Sequence, residues 1–228
     1  MFEKISTGIR GLDIMLHGGL IKNRTYLIKG GVGAGKTIMS MHFLVEGAKR
    51  GEKVCYVSLC EAEDEIKENM EVLGFDLSGV EIIDLSPANE KTSNIILDGL
   101  DFETFDFLIK NVISEMKSVD RIAIDPVSML KVASKSEEYY KKNLLKLMKT
   151  LRELKATTIL TAESTSTDVE DYLVNGVIEL HTIEVKGKIV RGVRITKIRG
   201  SDFDETMRPY KITGRGIEVY SDVSAVEI

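Results

Sequence analysis

The chain has no tryptophan, two cysteines, three prolines and three histidines in 228 residues. Each scarcity excludes something. Cys55 and Cys60 fall on or beside one expected strand. An extended chain holds them roughly 16 Å apart, too far for a disulfide between them. His17, His42 and His181 are scattered, so no zinc-ligand spacing forms, and all three are assigned to packing. With so few prolines and no Ser- or Gly-rich tract, no linker divides the chain, and residues 1–228 read as one domain. No run reaches 18 apolar residues, which excludes a membrane-spanning helix. The first residues, "MFEKISTGIRGLD", lack the apolar centre of a secretion signal, and the chain reads as cytoplasmic. A net charge of −5 gives the whole molecule no pull toward nucleic acid or an anionic membrane.

What remains is 43% hydrophobic and 29% charged, enough to build a core under a solvated surface. Apolar strands are expected at 25–30, 53–59, 80–85, 121–125 and 157–163. Helices are expected at 35–50, 62–72, 102–117 and 137–155. The last carries Tyr140, Leu144, Leu147, Met148, Leu151 and Leu154 on one stripe. From residue 176 the pattern changes to a hairpin turning near 186–188, followed by the short pair "RPYKIT" and "GIEVY". The expected fold class is α/β: a mainly parallel twisted sheet flanked by helices, with an antiparallel C-terminal extension.

The strongest signal is "GGVGAGKT" at 30–37. It satisfies G-x-x-x-x-G-K-[ST] and sits between an apolar strand and a helix, the context a phosphate-binding loop needs. Glycines let backbone N–H groups turn inward around a phosphate, and the following helix aims its positive end at the same anion. Gly31, Val32, Gly33, Ala34, Gly35 and Ile38 are therefore expected to line the phosphates of ATP, with Lys36 as a point charge on them. Thr37 is expected to offer its hydroxyl to Mg²⁺. The apolar run "RIAID" ends in Asp125, the expected metal-side carboxylate. Glu61, just past the second strand, fits two roles, a helix N-terminal acid or a base that orients water. Near the other end, "KIRG" places Lys197 and Arg199 on one face of a strand. By themselves they also suit a solvated edge whose charges discourage strand pairing.

Taken together these motifs resemble the RecA superfamily of P-loop ATPases, and specifically the KaiC family, over nearly the whole chain. The similarity runs through "STGIRGLDIMLHGGL", "EAEDEIKENMEVLGFDL", "RIAIDPVSML", "TTILTAE", "KIRGS" and "RPYKITGRGIEVY". The resemblance implies a homo-oligomer, a six-membered ring, with ATP or ADP at each junction. Lys197 and Arg199 would reach the γ-phosphate of the neighbouring copy. Ile198, Ser201 and Thr213 would lie near base and ribose. Three departures accompany it. The family's two adjacent glutamates are here Cys60 and Glu61, so slow hydrolysis is expected. Phe203 replaces a histidine. A Ser-Thr pair that one member phosphorylates on itself corresponds to Tyr172–Leu173, so autokinase activity is not expected. Two other functions share this core. One is a RecA- or RadA-like protein binding DNA through "KVASKSEEYYKKN". The other is a nucleotide-dependent scaffold without useful turnover.

Overall fold

The computed structural model describes residues 2–89, 118–132, 134–163, 168–185 and 188–225, together with positions 105, 107, 110, 111 and 116. Among these, nine strands form one sheet in the order β11-β10-β9-β8-β3-β7-β6-β4-β5. The strands are β3 (Thr25–Gly30), β4 (Val54–Ser58), β5 (Val80–Asp84), β6 (Arg121–Asp125), β7 (Thr157–Ala162), β8 (Gly176–Val185), β9 (Lys188–Ile198), β10 (Arg208–Thr213) and β11 (Gly216–Val219). From β8 through β5 neighbouring strands run parallel. β9, β10 and β11 continue the sheet antiparallel. This is the mixed architecture expected from the sequence.

The parallel strands β3, β4, β6 and β7 are buried throughout their lengths, as strands covered on both faces must be. Helices α1 (Arg10–Met15), α2 (Lys36–Lys49) and α3 (Glu63–Val72) cover one face, where Met39, Phe43, Ile66 and Met70 join Tyr26, Tyr56 and Ile178. On the other face α5 (Glu137–Leu154) lays Tyr140, Leu144, Leu147 and Leu151 against Leu27, Ile124 and Leu160. Met148 and Leu154 of the same stripe are only half-buried. Ser136 caps α5 by accepting the Tyr139 N–H at 3.1 Å. The helix expected over 102–117 lies mostly outside the described residues. Its described positions are helical, with Phe105 buried. The turn expected near 186–188 also falls largely outside them, flanked by the pair Val185 and Lys188.

Two short helices, α4 (Met129–Val132) and α6 (Val169–Leu173), and a two-stranded sheet, β1 (Lys4–Ile5) with β2 (Leu20–Ile21), were not foreseen. Segments of two to five residues are too short to show a period. The "STGIRGLD" segment acts here as a clamp. Asp13 accepts hydrogen bonds from Ser6 Oγ (2.6 Å), Thr7 N (2.8 Å) and Thr7 Oγ1 (2.7 Å). Gly11 packs so closely on β11 that a Cβ would sit 2.1 Å from the Val219 carbonyl oxygen.

The fully buried Arg121 at the start of β6 ties the same region together. It pairs with Glu52, donates to the carbonyls of Ser6 and Phe43 at 2.8 Å, and lies over the Phe43 ring. No helix among the described residues is long and apolar enough to cross a membrane.

Candidate nucleotide site

β3 leads into the glycine loop and α2 leads out of it. Because the chain passes from β3 to β4 with β7 and β6 between them, a crevice opens at the carboxyl ends of these strands. Gly33 and Gly35 adopt φ +72° and +94°, a conformation strained for any residue with a Cβ. A Cβ on Gly31 or Gly33 would meet nothing within 4 Å, so the loop forms an open cradle. Its Lys36 is 8% exposed and donates to the carbonyls of Gly30 (3.0 Å) and Gly31 (3.1 Å). Val32 stands 88% exposed at the tip, Ile38 is half-buried, and the buried Ala34 offers its carbonyl to Tyr210 OH at 2.5 Å. This tie from the C-terminal strands holds the loop's backbone.

Asp125 lies opposite. Its Oδ2 accepts from Thr37 Oγ1 at 2.6 Å and from Tyr56 OH at 2.7 Å, and its Oδ1 accepts from Thr161 Oγ1. Four residues from three strands and a helix thus converge on one point. The pairing of Thr37 with Asp125 was legible as a hydroxyl and a carboxylate in two motifs. Tyr56 and Thr161 were missed: Tyr56 reads as one more bulky residue of a buried strand, and Thr161 is one of three threonines in β7. Burial, and then the Asp125 charge, push the Tyr56 phenol well above its usual range, so it remains a donor.

A cleft of about 520 Å³ joins the cradle to Asp125, Tyr56, Ser58 and Glu61. Glu61 is held at the backbone by Ser58, whose Oγ donates to the Glu61 carbonyl at 2.5 Å. Burial first, then repulsion from Asp125 and Glu65, raise the Glu61 carboxyl above the ordinary value. Cys60 beside it is an exposed free thiol, raised by burial and the neighbouring carboxylates, so it is not an activated nucleophile. An open cradle, a lysine, and a hydroxyl paired with a carboxylate fit a triphosphate and a divalent ion. Lys36 would face the phosphates, and Thr37 and Asp125 would face the ion.

The remaining expected residues fall elsewhere. Thr213 ends β10 near the top of the crevice, next to Ile212, which lines the cleft. Its hydroxyl donates to Gly216 O at 3.3 Å. Lys197, Ile198, Arg199 and Ser201 lie toward the opposite end of the sheet. Gly176 pairs with both Tyr26 at the start of β3 and Ile198 at the end of β9, and Arg199 N–H donates to the Asn175 carbonyl at 2.7 Å. Four residue steps along β3 separate Tyr26 from Gly30, roughly 13 Å. Lys197 Nζ donates to the Asp171 carbonyl, and Arg199 Nη2 donates to the Tyr172 carbonyl at 2.9 Å. Burial, and then the adjacent Arg199 charge, lower the Lys197 ammonium below the usual lysine value. Ile198 is buried beside Tyr26 and Gly176, which leaves only its main chain to meet a ligand. Ser201 accepts from Lys4 Nζ at 2.9 Å. Arg199 also borders a larger cleft of about 670 Å³ that it shares with Arg24, Lys149 and Arg152.

Comparison with known proteins points to one family. A profile described as "ATPase: KaiC" matches residues 5–224. A UPF0273 protein of Thermotoga maritima is 29% identical, covering 96% of this chain and 97% of its own. The circadian clock protein KaiC3 of Synechocystis is 29% identical over 99% of this chain, which spans 47% of that longer protein. The crystal structure of the KaiC-like protein PH0186 from Pyrococcus horikoshii superposes with a TM-score of 0.84 at 27% identity, covering 96% of this chain and all of that one. A parallel RecA-like sheet, a glycine cradle opposite a buried aspartate, and a family match over nearly the full length lead to one conclusion: the chain belongs to the KaiC family of ATPases.

Proposed function

We propose that the chain is a slow ATPase in which each nucleotide is held by the cradle of one copy and completed by Lys197 and Arg199 of the next copy in a homo-oligomeric ring. The observation that carries this reading is the separation of the two groups. Within one chain Arg199 stands at the end of the sheet opposite the cradle, beside Asn175 and Thr25, and Lys197 stands two strands from β3, level with Leu27 and tied to the Asp171 carbonyl. A triphosphate that meets both must lie between two copies. Arg24, Lys149 and Arg152 surround the same end, and among the described residues no carboxylate lines their cleft, which favours the approach of phosphate there.

In the cradle, backbone N–H groups and Lys36 bind and orient the phosphates, and Thr37 and Asp125 would hold Mg²⁺. When bound, Mg²⁺ neutralises charge that builds on the phosphate oxygens. Glu61 orients the attacking water and takes its proton. The second copy's cations stabilise charge on the transferred phosphoryl group. In phosphoryl transfer a contribution of this kind is worth roughly 10³–10⁵ in rate. Hydrolysis is slow because Cys60 stands where the family carries a further glutamate. The ring then serves as a regulatory module whose assembly follows its nucleotide. The DNA-binding alternative gains no support after Asp125. There Lys131 pairs with Asp168 at 3.4 Å and Lys141 with Glu137 at 2.8 Å.

The test is phosphate release by the Lys197→Ala/Arg199→Ala variant, measured beside ATP binding. Binding retained with turnover reduced at least a hundredfold supports the reading, and unchanged turnover removes it.

A further inference from the structure

Between the cradle and the cationic pair lies a connection that neither motif reveals. Lys29 is the residue immediately before Gly30, on a strand flanked on both sides by parallel neighbours. Its side chain is 4% exposed, and its Nζ pairs with Asp171 Oδ1 at 2.8 Å and with Glu179 Oε1 at 3.3 Å. Burial alone lowers such an ammonium, but Asp171 and then Glu179 more than offset it, leaving it raised. Asp171 sits in α6, a helix of five residues. A helix that short has no stability of its own and stands where its tertiary ties place it. Asp171 supplies one such tie, accepting Lys29 through Oδ1 at 2.8 Å, and closes the helix's own capping box by accepting the Asp168 N–H through Oδ2 at 2.7 Å. The carbonyls of Asp171 and Tyr172 are the groups that hold Lys197 and Arg199.

The geometry points to Asp171 as a positioning residue. Through Lys29 it references α6 to the strand that carries the cradle, and through the α6 carbonyls it sets where Lys197 and Arg199 stand for the neighbouring site. This rests on the shared-site reading above. The consequence is directional. A shift of β3 at one copy's cradle moves α6 and, with it, the cations offered to the next copy, so neighbouring sites are coupled through a buried ion pair. A displacement near 1 Å at a reacting group can cost about a hundredfold in rate. The position of α6 is therefore consequential even though Asp171 touches no phosphate.

A mixed assembly isolates the effect. One chain carries Lys36→Ala, so its cradle is dead but its cations are intact. The other carries Lys197→Ala/Arg199→Ala, so its cradle is intact but it offers no cations. The mixture should regain turnover. If it does not, the shared-site reading and this inference fall together. With turnover regained, Asp171→Asn is added to one chain at a time. In the cation-donating chain it should lower kcat about 10- to 100-fold with little change in KM. In the cradle-donating chain, where Glu179 still holds Lys29, it should change neither. Equal losses in both positions, or none in either, overturn the positioning role while leaving the shared site standing. Asp171→Glu keeps the charge but moves the carboxylate, and it repeats the test if the asparagine variant does not fold. The same asymmetry, smaller in size, is expected, and its absence again counts against the role.

Discussion

Replacing Tyr56 by phenylalanine removes a single atom from the candidate site. The ring stays in place within the buried strand β4, so strand packing is unchanged. What disappears is the 2.7 Å hydrogen bond to Asp125 Oδ2. Asp125 is 6% exposed, so water does not readily substitute for the lost donor. A hydrogen bond to a charged group contributes about 1.5–3 kcal/mol. The lower part of that range applies, because Thr37 and Thr161 remain on the carboxylate. For a chain of this length each kcal/mol moves the midpoint by about 2–4 °C, so a loss near 1.5–2 kcal/mol lowers Tm by roughly 3–8 °C. Losing a residue that orients a metal ligand also costs about 10- to 100-fold in metal affinity or activity. The half-saturating Mg²⁺ for ATP binding should therefore rise. Thermal melts by circular dichroism and a Mg²⁺ titration of ATP binding measure the two effects. Because the phenol lies well above its usual range, both should be the same at pH 6 and pH 8. A Tyr56→Phe protein with an unshifted melt and an unshifted Mg²⁺ requirement would refute the claim that Tyr56 fixes Asp125.

Glu61→Gln should keep ATP binding and lose turnover. In the parent protein the acid limb of turnover should lie above the ordinary carboxylate range, because a base must be ionised and Glu61 is raised. Equal turnover in the variant, or an acid limb at the ordinary position, counts against Glu61 as the base. Ring burial holds the His42 imidazole down at about 4, and its Nε2 accepts the Ile217 N–H at 2.8 Å. The unfolded chain therefore binds more protons between about pH 6.5 and 4, and folding stability falls across that window as pH drops. At 1.36 kcal/mol per unit the loss approaches roughly 3 kcal/mol, and urea titrations should show a steeper fall across this window in the parent than in His42→Gln. Gly47→Ala should destabilise by about 1–3 kcal/mol despite alanine's better helix propensity. The added Cβ would stand 2.6 Å from Arg121 Nε.

The strands of the parallel core and the cradle were legible because burial on both faces writes long apolar runs, and because the cradle's chemistry dictates residue type at each position. Asp125 was legible as the polar end of such a run. Tyr56 and Thr161 were not, since nothing local in "KVCYVSL" or "TTILTAE" shows that both face one carboxylate. That fact belongs to the strand order β7-β6-β4. The tie from Tyr210 to Ala34 joins residues 176 positions apart and has no sequence signature. β8 was read as one arm of a hairpin, and its parallel pairing with β3 was not foreseen. That pairing fixes Lys197 and Arg199 toward the far end of the sheet. The pair was visible in the sequence, and its distance from the cradle became visible only in the fold.

The claim that each site is built from two copies is tested most directly by following turnover per chain and particle mass together as the protein is diluted in ATP and Mg²⁺. Turnover should collapse as the assembly falls to single chains. Dilute single chains that hydrolyse ATP at the undiminished rate would contradict it.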